Sequence, residues 1–273
     1  MAAEMTLGEH VEELRRRVIH VAIAIIAITI FTMSFGLRPF DYAGIHLAYP
    51  FPDPIDNVSV SIMHYMQKTL LPEGVRLIQT APGQAFFAQL NVAVLLGVLG
   101  SLPVITREIS AFVAPAISSK TRLSIAKIML PVMTLFTIGI LFSYLVVIPF
   151  TLNFLYRYGE AIGVETFLNV QEFIGFVMQF FVGFGLAFQL PVIMYAISLA
   201  GVISPRFWRN NFRYAVIAFV IFGAAITPDG SGITMWFVAL PMIALYLIGM
   251  AVVENRAKKE RAEEKGPRDG IIA

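Results

Sequence analysis

The sequence predicts an all-α polytopic membrane protein with six transmembrane helices and both termini in the cytoplasm. Three observations lead there. Of the 273 residues 58% are hydrophobic and only 14% charged, with a mean hydropathy of +0.76, whereas soluble domains carry about 25% charged residues. The apolar residues fall in long runs separated by polar, proline-rich stretches, and about 20 apolar residues cross roughly 30 Å of hydrocarbon. The basic residues are also sorted, with 16 of the 20 Lys and Arg in alternate inter-run segments and at the two ends.

Residues Met1–Arg17 are polar and amphipathic. They do not read as a cleavable signal peptide, because they open acidic (Glu4, Glu9), the apolar run after them is long, and no small-residue cleavage site follows. The first span is expected at about 18–37. Residues 38–81 form a long polar loop broken by Pro39, Pro50, Pro52 and Pro54. Within it, Ser59–Leu71 is expected to form a short amphipathic helix, since Ile62, Met63, Met66 and Leu70 recur at helical spacing.

The second span, about 82–105, opens at Pro82, where a missing N–H costs nothing. A basic, half-apolar segment, 106–127, precedes the third span, about 128–150, which has Pro131 and Pro149 near its ends. A polar loop leads to the fourth span, about 171–202, which Pro191 should kink. Ser204–Arg213 is short and basic. The fifth span, about 214–227, has an apolar run of only 13 residues, about 20 Å as a helix. The turn Thr227-Pro228-Asp229-Gly230-Ser231-Gly232 leads into the sixth, about 233–253, interrupted by Pro241. Residues 1–255 thus read as a single six-span domain and 256–273 as a charged, disordered cytoplasmic tail.

The inside assignment rests on the basic residues. The N-terminal segment, the 106–127 and 204–213 segments and the tail carry three, four, three and six Lys or Arg, against only Arg38, Lys68, Arg76 and Arg157 on the opposite side. Cytoplasmic loops hold the excess of such residues, which places the chain in a cytoplasmic membrane with both ends inside.

Catalytic signatures are missing. The sequence has no cysteine and no His-Glu-x-x-His, Gly-x-Ser-x-Gly or phosphate-loop motif. His10, His20, His46 and His64 are divided between the two sides, which excludes a metal cluster, and no cofactor is expected. Asn91, Gln179, Gln189 and Ser198 are the main polar groups within spans, and such groups face protein or a cavity. Gln189, two positions before Pro191, suits either the carbonyls freed at the kink or a contact with another helix or a partner. No Asp, Glu, Lys or Arg lies at the centre of a span, which argues against the rival reading, a secondary transporter of a small solute. An intramembrane enzyme is a weaker rival still.

The most informative stretch is His10-Val11-Glu12-Glu13-Leu14-Arg15-Arg16-Arg17, at the mouth of the first span. On a helix Glu9, Glu12, Glu13 and Arg16 fall on neighbouring turns. The arginines mark a cytoplasmic boundary. The carboxylates suit either a solvated helix face or a docking site for a cationic partner.

Together with Leu102-Pro103-Val104-Ile105, Ala111-Phe112-Val113-Ala114-Pro115-Ala116, Phe184 to Val192, Ile226-Thr227-Pro228-Asp229 and Ala239-Leu240-Pro241-Met242, this stretch resembles the TatC family, in order and spacing, over residues 9–253. TatC proteins are the multispanning receptors of the twin-arginine protein translocase. The resemblance implies a curved, glove-like wall of six helices with the fifth and sixth short, homo- and hetero-oligomers in the lipid bilayer, and no nucleic-acid partner. It implies recognition of the twin-arginine signal peptides of folded cargo at the cytoplasmic face, docking of TatA/TatB-type single-span partners, and transport driven by the proton-motive force.

Carried over by position, Glu13 matches the family's signal-binding glutamate, and His10, Arg15 and Arg17 match its polar neighbours. Leu14 and Phe112 are candidates for the apolar part of a signal, and Pro115 belongs to the same loop segment. Gln189 and Pro191 are the candidate partner contact. The second family glutamate of that loop falls on Thr121, the fourth-span glutamate is Gln189, and the sixth-span polar position is Leu247. The Pro-x-Glu-x-Phe at the start of the second span is here Pro82-Gly83-Gln84-Ala85-Phe86, so every change removes a negative charge. Glu12 is a candidate replacement for the missing loop carboxylate, and Glu108, the loop's sole acid, lies on the other side of Phe112.

Overall fold

A computed structural model describes residues 7–42, 45–113, 125–227 and 232–265. The chain divides into two compact units, one made of residues up to 114 with Ile148–Gln179, the other of 115–147 with the residues from Phe180 onward.

In the first unit, α1 (Leu7–Ser34) is the long N-terminal helix. It packs along α3 (Gln84–Gly100) at Gly97, where a Cβ would meet the Thr29 hydroxyl and come within 2.8 Å of the Ile25 carbonyl oxygen. The segment read as a polar loop has more structure than expected. Strands β1 (Phe35–Tyr42) and β2 (Ile45–Pro52) form an antiparallel hairpin directly after α1. Pro39, Pro50 and Pro52 all fall in the same alternate set of pairs, Pro39↔Ala48, Leu37↔Pro50 and Phe35↔Pro52. An antiparallel ladder asks for N–H donors only at every second pair, so prolines that look like breakers are accommodated. The other face carries Phe40, Tyr49 and Phe51 in edge-to-face contact, with the Arg38 guanidinium 4.3 Å above Phe51.

The short amphipathic helix is present as α2 (Val58–Leu70), with Met63, Met66 and Leu70 buried. Its N-cap is Asn57, fully buried, whose side chain accepts from the Val60 N–H at 3.1 Å. The Asn57 amide donates to the Met33 carbonyl at 2.8 Å and to that of Pro54 at 3.0 Å, tying the end of α1 to the start of α2. Strand β3 (Arg76–Ile78) pairs in parallel with β4 (Phe167–Asn169), and Asn169 donates to Thr80 and Gln84 at 2.8 and 2.9 Å.

The run expected as one span at 82–105 is two helices, α3 and α4 (Leu102–Val113), bent by 53°. Pro103 is the physical reason. It has no N–H to give the Leu99 carbonyl and its ring crowds that oxygen. Helix α4 therefore extends well into the stretch read as a loop, and Leu102, Thr106 and Ser110, one face of it, are buried.

Helix α5 (Ile125–Phe142) passes through a π-helical turn, Ser143–Val147, into α6 (Ile148–Ala161). The widened turn sits where Pro149 withdraws its backbone donor, the usual cause of such a turn. The helical stretch runs past residue 150, where the third span was expected to end. The fourth span breaks as predicted: α7 (Val170–Ala187) and α8 (Leu190–Leu199) meet at Phe188–Gln189, just before Pro191.

In the second unit Phe142, Phe184 and Phe188 cluster, with ring centroids 5.6–5.8 Å apart for the pairs to Phe142. Helices α9 (Pro205–Asn210), α10 (Phe212–Ile226) and α11 (Ile233–Lys265) complete it. Ser198 accepts from the Trp208 indole at 2.9 Å, and the Tyr246 hydroxyl donates to the Trp208 carbonyl at 2.7 Å. Helix α10 has 15 residues, about the short length the sequence foretold. Helix α11 does not stop at 253 but continues to Lys265, into the stretch read as a disordered tail.

Among the described residues four helical stretches are long and apolar enough to cross a membrane, Val11–Ser34, Met129–Ala161, Val170–Leu199 and Ile233–Lys259, and the bent α3–α4 pair makes a fifth. The chain is a mostly helical, multi-pass membrane protein.

Candidate functional site

The site lies where the first turns of α1 meet α4. Glu13, Arg17 and His20 follow one another at helical spacing and share a face of α1. A Glu four residues before an Arg is the favourable order for a helix pair. The Arg17 Nε donates to Glu13 Oε1 at 3.1 Å, and Nη2 donates to the same oxygen. The bend at Pro103 turns α4 toward this face and delivers Glu108, 91 residues away in sequence, whose Oε2 accepts from Arg17 Nη1 at 2.9 Å. His20 Nδ1 lies 3.7 Å from the other Glu108 oxygen.

The side chains of Arg17, Glu13 and Glu108 are 20%, 15% and 13% exposed. One guanidinium is thus gripped by two carboxylates that α1 and α4 supply, in a setting drier than open surface. Two carboxylates and one guanidinium leave one unit of negative charge, beside a segment otherwise rich in arginine. Charge-assisted bonds to a guanidinium fork are geometrically selective in a way that bonds to an ammonium are not.

The sequence-predicted residues divide sharply. Glu13 and Arg17 are at the centre. Glu12 and Arg15 pair with each other at 3.5 Å, but both are about 70% exposed. The carboxylate that joins Glu13 is therefore Glu108, not Glu12. Phe112 lies one turn beyond Glu108 on α4 and is partly covered, and Leu14 is 45% exposed. Pro115 and Thr121 lie outside the described residues, as does the side chain of His10. Glu108 was legible only as the sole acid of its segment, placed one helical turn from Phe112.

At the other candidate contact, Gln189 serves the kink and a neighbouring helix at once. The Gln189 N–H bonds the Leu186 carbonyl, which leaves the Gly185 carbonyl without its usual helical donor. The Gln189 amide donates to that carbonyl at 3.4 Å and to the Val132 carbonyl of α5 at 3.3 Å. Its Oε1 is buried with no partner among the described residues. Pro191 is buried, and Gly249 of α11 approaches its Cα so closely that a Cβ there would stand 3.1 Å away. Among the described residues no group of three or more metal-ligating side chains comes together.

The model of the family described as Sec-independent protein translocase protein (TatC) matches residues 9–241. The chain is 50% identical over 260 residues to the Sec-independent protein translocase protein TatC of Cenarchaeum symbiosum, covering 95% of this chain and 98% of that one. It is 32% identical over 251 residues to the chloroplastic TATC of Arabidopsis thaliana, covering 92% of this chain and 67% of that one. A crystal structure of the twin-arginine translocase receptor TatC superposes with a TM-score of 0.74 at 26% identity, over 90% of this chain and 98% of the other. The chain belongs to the TatC family of twin-arginine protein translocase components.

Proposed function

We propose that this chain is the signal-peptide receptor and core scaffold of a twin-arginine translocase. In this reading it crosses the cytoplasmic membrane six times with both termini inside. It binds the twin-arginine signals of folded proteins at the cytoplasmic face and docks TatA/TatB-type single-span partners for export driven by the proton-motive force. The observation that carries the reading is the convergence of Glu13 and Glu108 on a single guanidinium at the basic mouth of the first helix. A site already shaped around one guanidinium suits a ligand that presents two. Arg15, Arg17, Glu12, His10, Phe112, Pro115 and Thr121 belong to the same docking region, with Phe112 and Leu14 flanking the charges for the apolar part of the signal. Gln189, half-buried at the kink that the buried Pro191 sets, is the proposed partner contact, and with glutamine in place of an acid that contact is a hydrogen bond rather than an ion pair.

The test is binding of a fluorescent twin-arginine signal peptide to the purified protein in nanodiscs, against a twin-lysine peptide and the Glu13→Ala variant. The expected result is preference for the arginine pair, lost by about tenfold or more in Glu13→Ala. Equal binding of the arginine and lysine peptides refutes the reading.

A further inference from the structure

We propose that Arg17 is a resident stand-in for a signal arginine. It occupies the seat between Glu13 and Glu108, a ligand guanidinium takes that seat by displacing it, and Glu108 is the second carboxylate of the site. The inference rests on the receptor reading above and adds to it the occupant and the missing acid.

The grip on Arg17 is what a bound ligand arginine would receive. One edge of its guanidinium, Nε and Nη2, lies on Glu13, and the remaining nitrogen, Nη1, lies on Glu108 at 2.9 Å. That arrangement uses the planar fork and is unavailable to an ammonium. The seat is also reachable. Arg17 keeps 20% of its side chain exposed, so exchange needs no unfolding of α1 or α4. Once released, Arg17 stands at the end of a long flexible stem at the membrane mouth, where its head reaches water.

The pair joins α1 to α4, but α1 has a second hold. It packs along α3, where Gly97 and Gly100 approach Ile25, Thr29 and Ile28, remote from Arg17. Lastly, Glu108 sits on the same chain segment as Thr121, which lacks the carboxylate. Glu108 is the sole acid of that segment, and it lies against the Arg17 guanidinium that Glu13 also holds.

The experiment measures twin-arginine and twin-lysine peptide affinity in nanodiscs for the full-length wild type, Arg17→Gln, Arg17→Lys, Arg16→Gln, Glu108→Gln and the Arg17→Gln/Glu108→Gln double variant. Emptying the seat should tighten twin-arginine binding about tenfold in Arg17→Gln, the equivalent of about 1.4 kcal/mol. Arg16→Gln makes the same charge change on the exposed side of α1 and should shift affinity less than about twofold, as exposed charges do. The double variant should lose the whole gain, because the ligand then meets one carboxylate. Arg17→Lys should lie between wild type and Arg17→Gln, and it stands in if the glutamine variant fails gel filtration. Glu108→Gln alone should weaken binding severalfold.

A wild type without arginine preference overturns this inference together with the receptor reading. Retained preference with an unchanged or weaker Arg17→Gln, folded by gel filtration, overturns the displacement alone. A tenfold gain that survives in the double variant removes Glu108 from the site, and an equal gain in Arg16→Gln reduces the effect to net charge.

Discussion

Replacing Asn57 by alanine should cost this protein about 3 kcal/mol of stability, and replacing it by aspartate should cost at least as much. Asn57 is fully buried and uses both ends of its side chain. Its oxygen caps α2 at the Val60 N–H and takes the Ser59 hydroxyl at 2.6 Å. Its amide serves the Met33 and Pro54 carbonyls. Loss of an N-cap is worth about 1 kcal/mol, and a buried polar group left unpaired costs about 1–3 kcal/mol. Aspartate is normally an excellent N-cap, so a role in capping alone would make Asn57→Asp nearly silent. Here the new carboxylate would face two carbonyl oxygens in place of the amide that satisfied them. For a chain of this size the expected fall in melting temperature is about 6–12 °C. Thermal unfolding in detergent, followed by the fluorescence of Trp208 and Trp236, reads it. An Asn57→Asp variant that melts within about 2 °C of wild type would refute the argument that Asn57 joins α1 to α2 rather than merely capping α2.

Two further predictions concern the same unit. Gly97→Leu should separate α1 from α3, because even a Cβ there stands 2.8 Å from the Ile25 carbonyl. A loss of more than about 2 kcal/mol is expected, seen as a lower melting temperature with Gly97→Ala milder. Asp53 is held below the usual carboxylate range by the N–H groups of Asp56 and Ile55, to which its Oδ1 is the acceptor at 3.0 and 3.1 Å. A carboxyl whose folded pKa lies below its unfolded one contributes stability that is present above the unfolded value, near 4, and is lost as pH falls below it through the folded value. Melting curves taken from pH 6 down to pH 3 should show this loss in wild type and a flatter acid limb in Asp53→Asn.

Much of the fold was readable because its signals are local. The apolar runs, the spacing of Met63, Met66 and Leu70, and the break before Pro191 depend on residues within one or two turns of each other. What escaped depends on pairing or on continuation. The hairpin escaped because a proline reads as a breaker until its register is known, and register exists only once Pro39 is set against Ala48. The bend at Pro103 was visible as a proline but not as a change of direction, since the apolar residues run on across it. Helix α11 overran its apolar run because charge pattern marks where a helix leaves hydrocarbon, not where its backbone stops. In the site, Glu13 and Arg17 were legible because they are one turn apart. Glu108 was not, since no periodicity links positions 91 residues apart.

The bend between α3 and α4 gives the site a property that side chains alone do not. An unbroken helix would carry Glu108 about 12 Å along the axis beyond Gly100. The 53° turn spends that length sideways instead. The gap between the two carboxylates is therefore written into the backbone at Ser101–Pro103, where Ser101 and Leu102 are buried. Helix α3 thus carries both sides of the arginine grip, since Gly97 seats it on α1, which bears Glu13, and its end at Pro103 aims α4, which bears Glu108; the spacing that the proposed receptor site offers a guanidinium is set by membrane-embedded backbone.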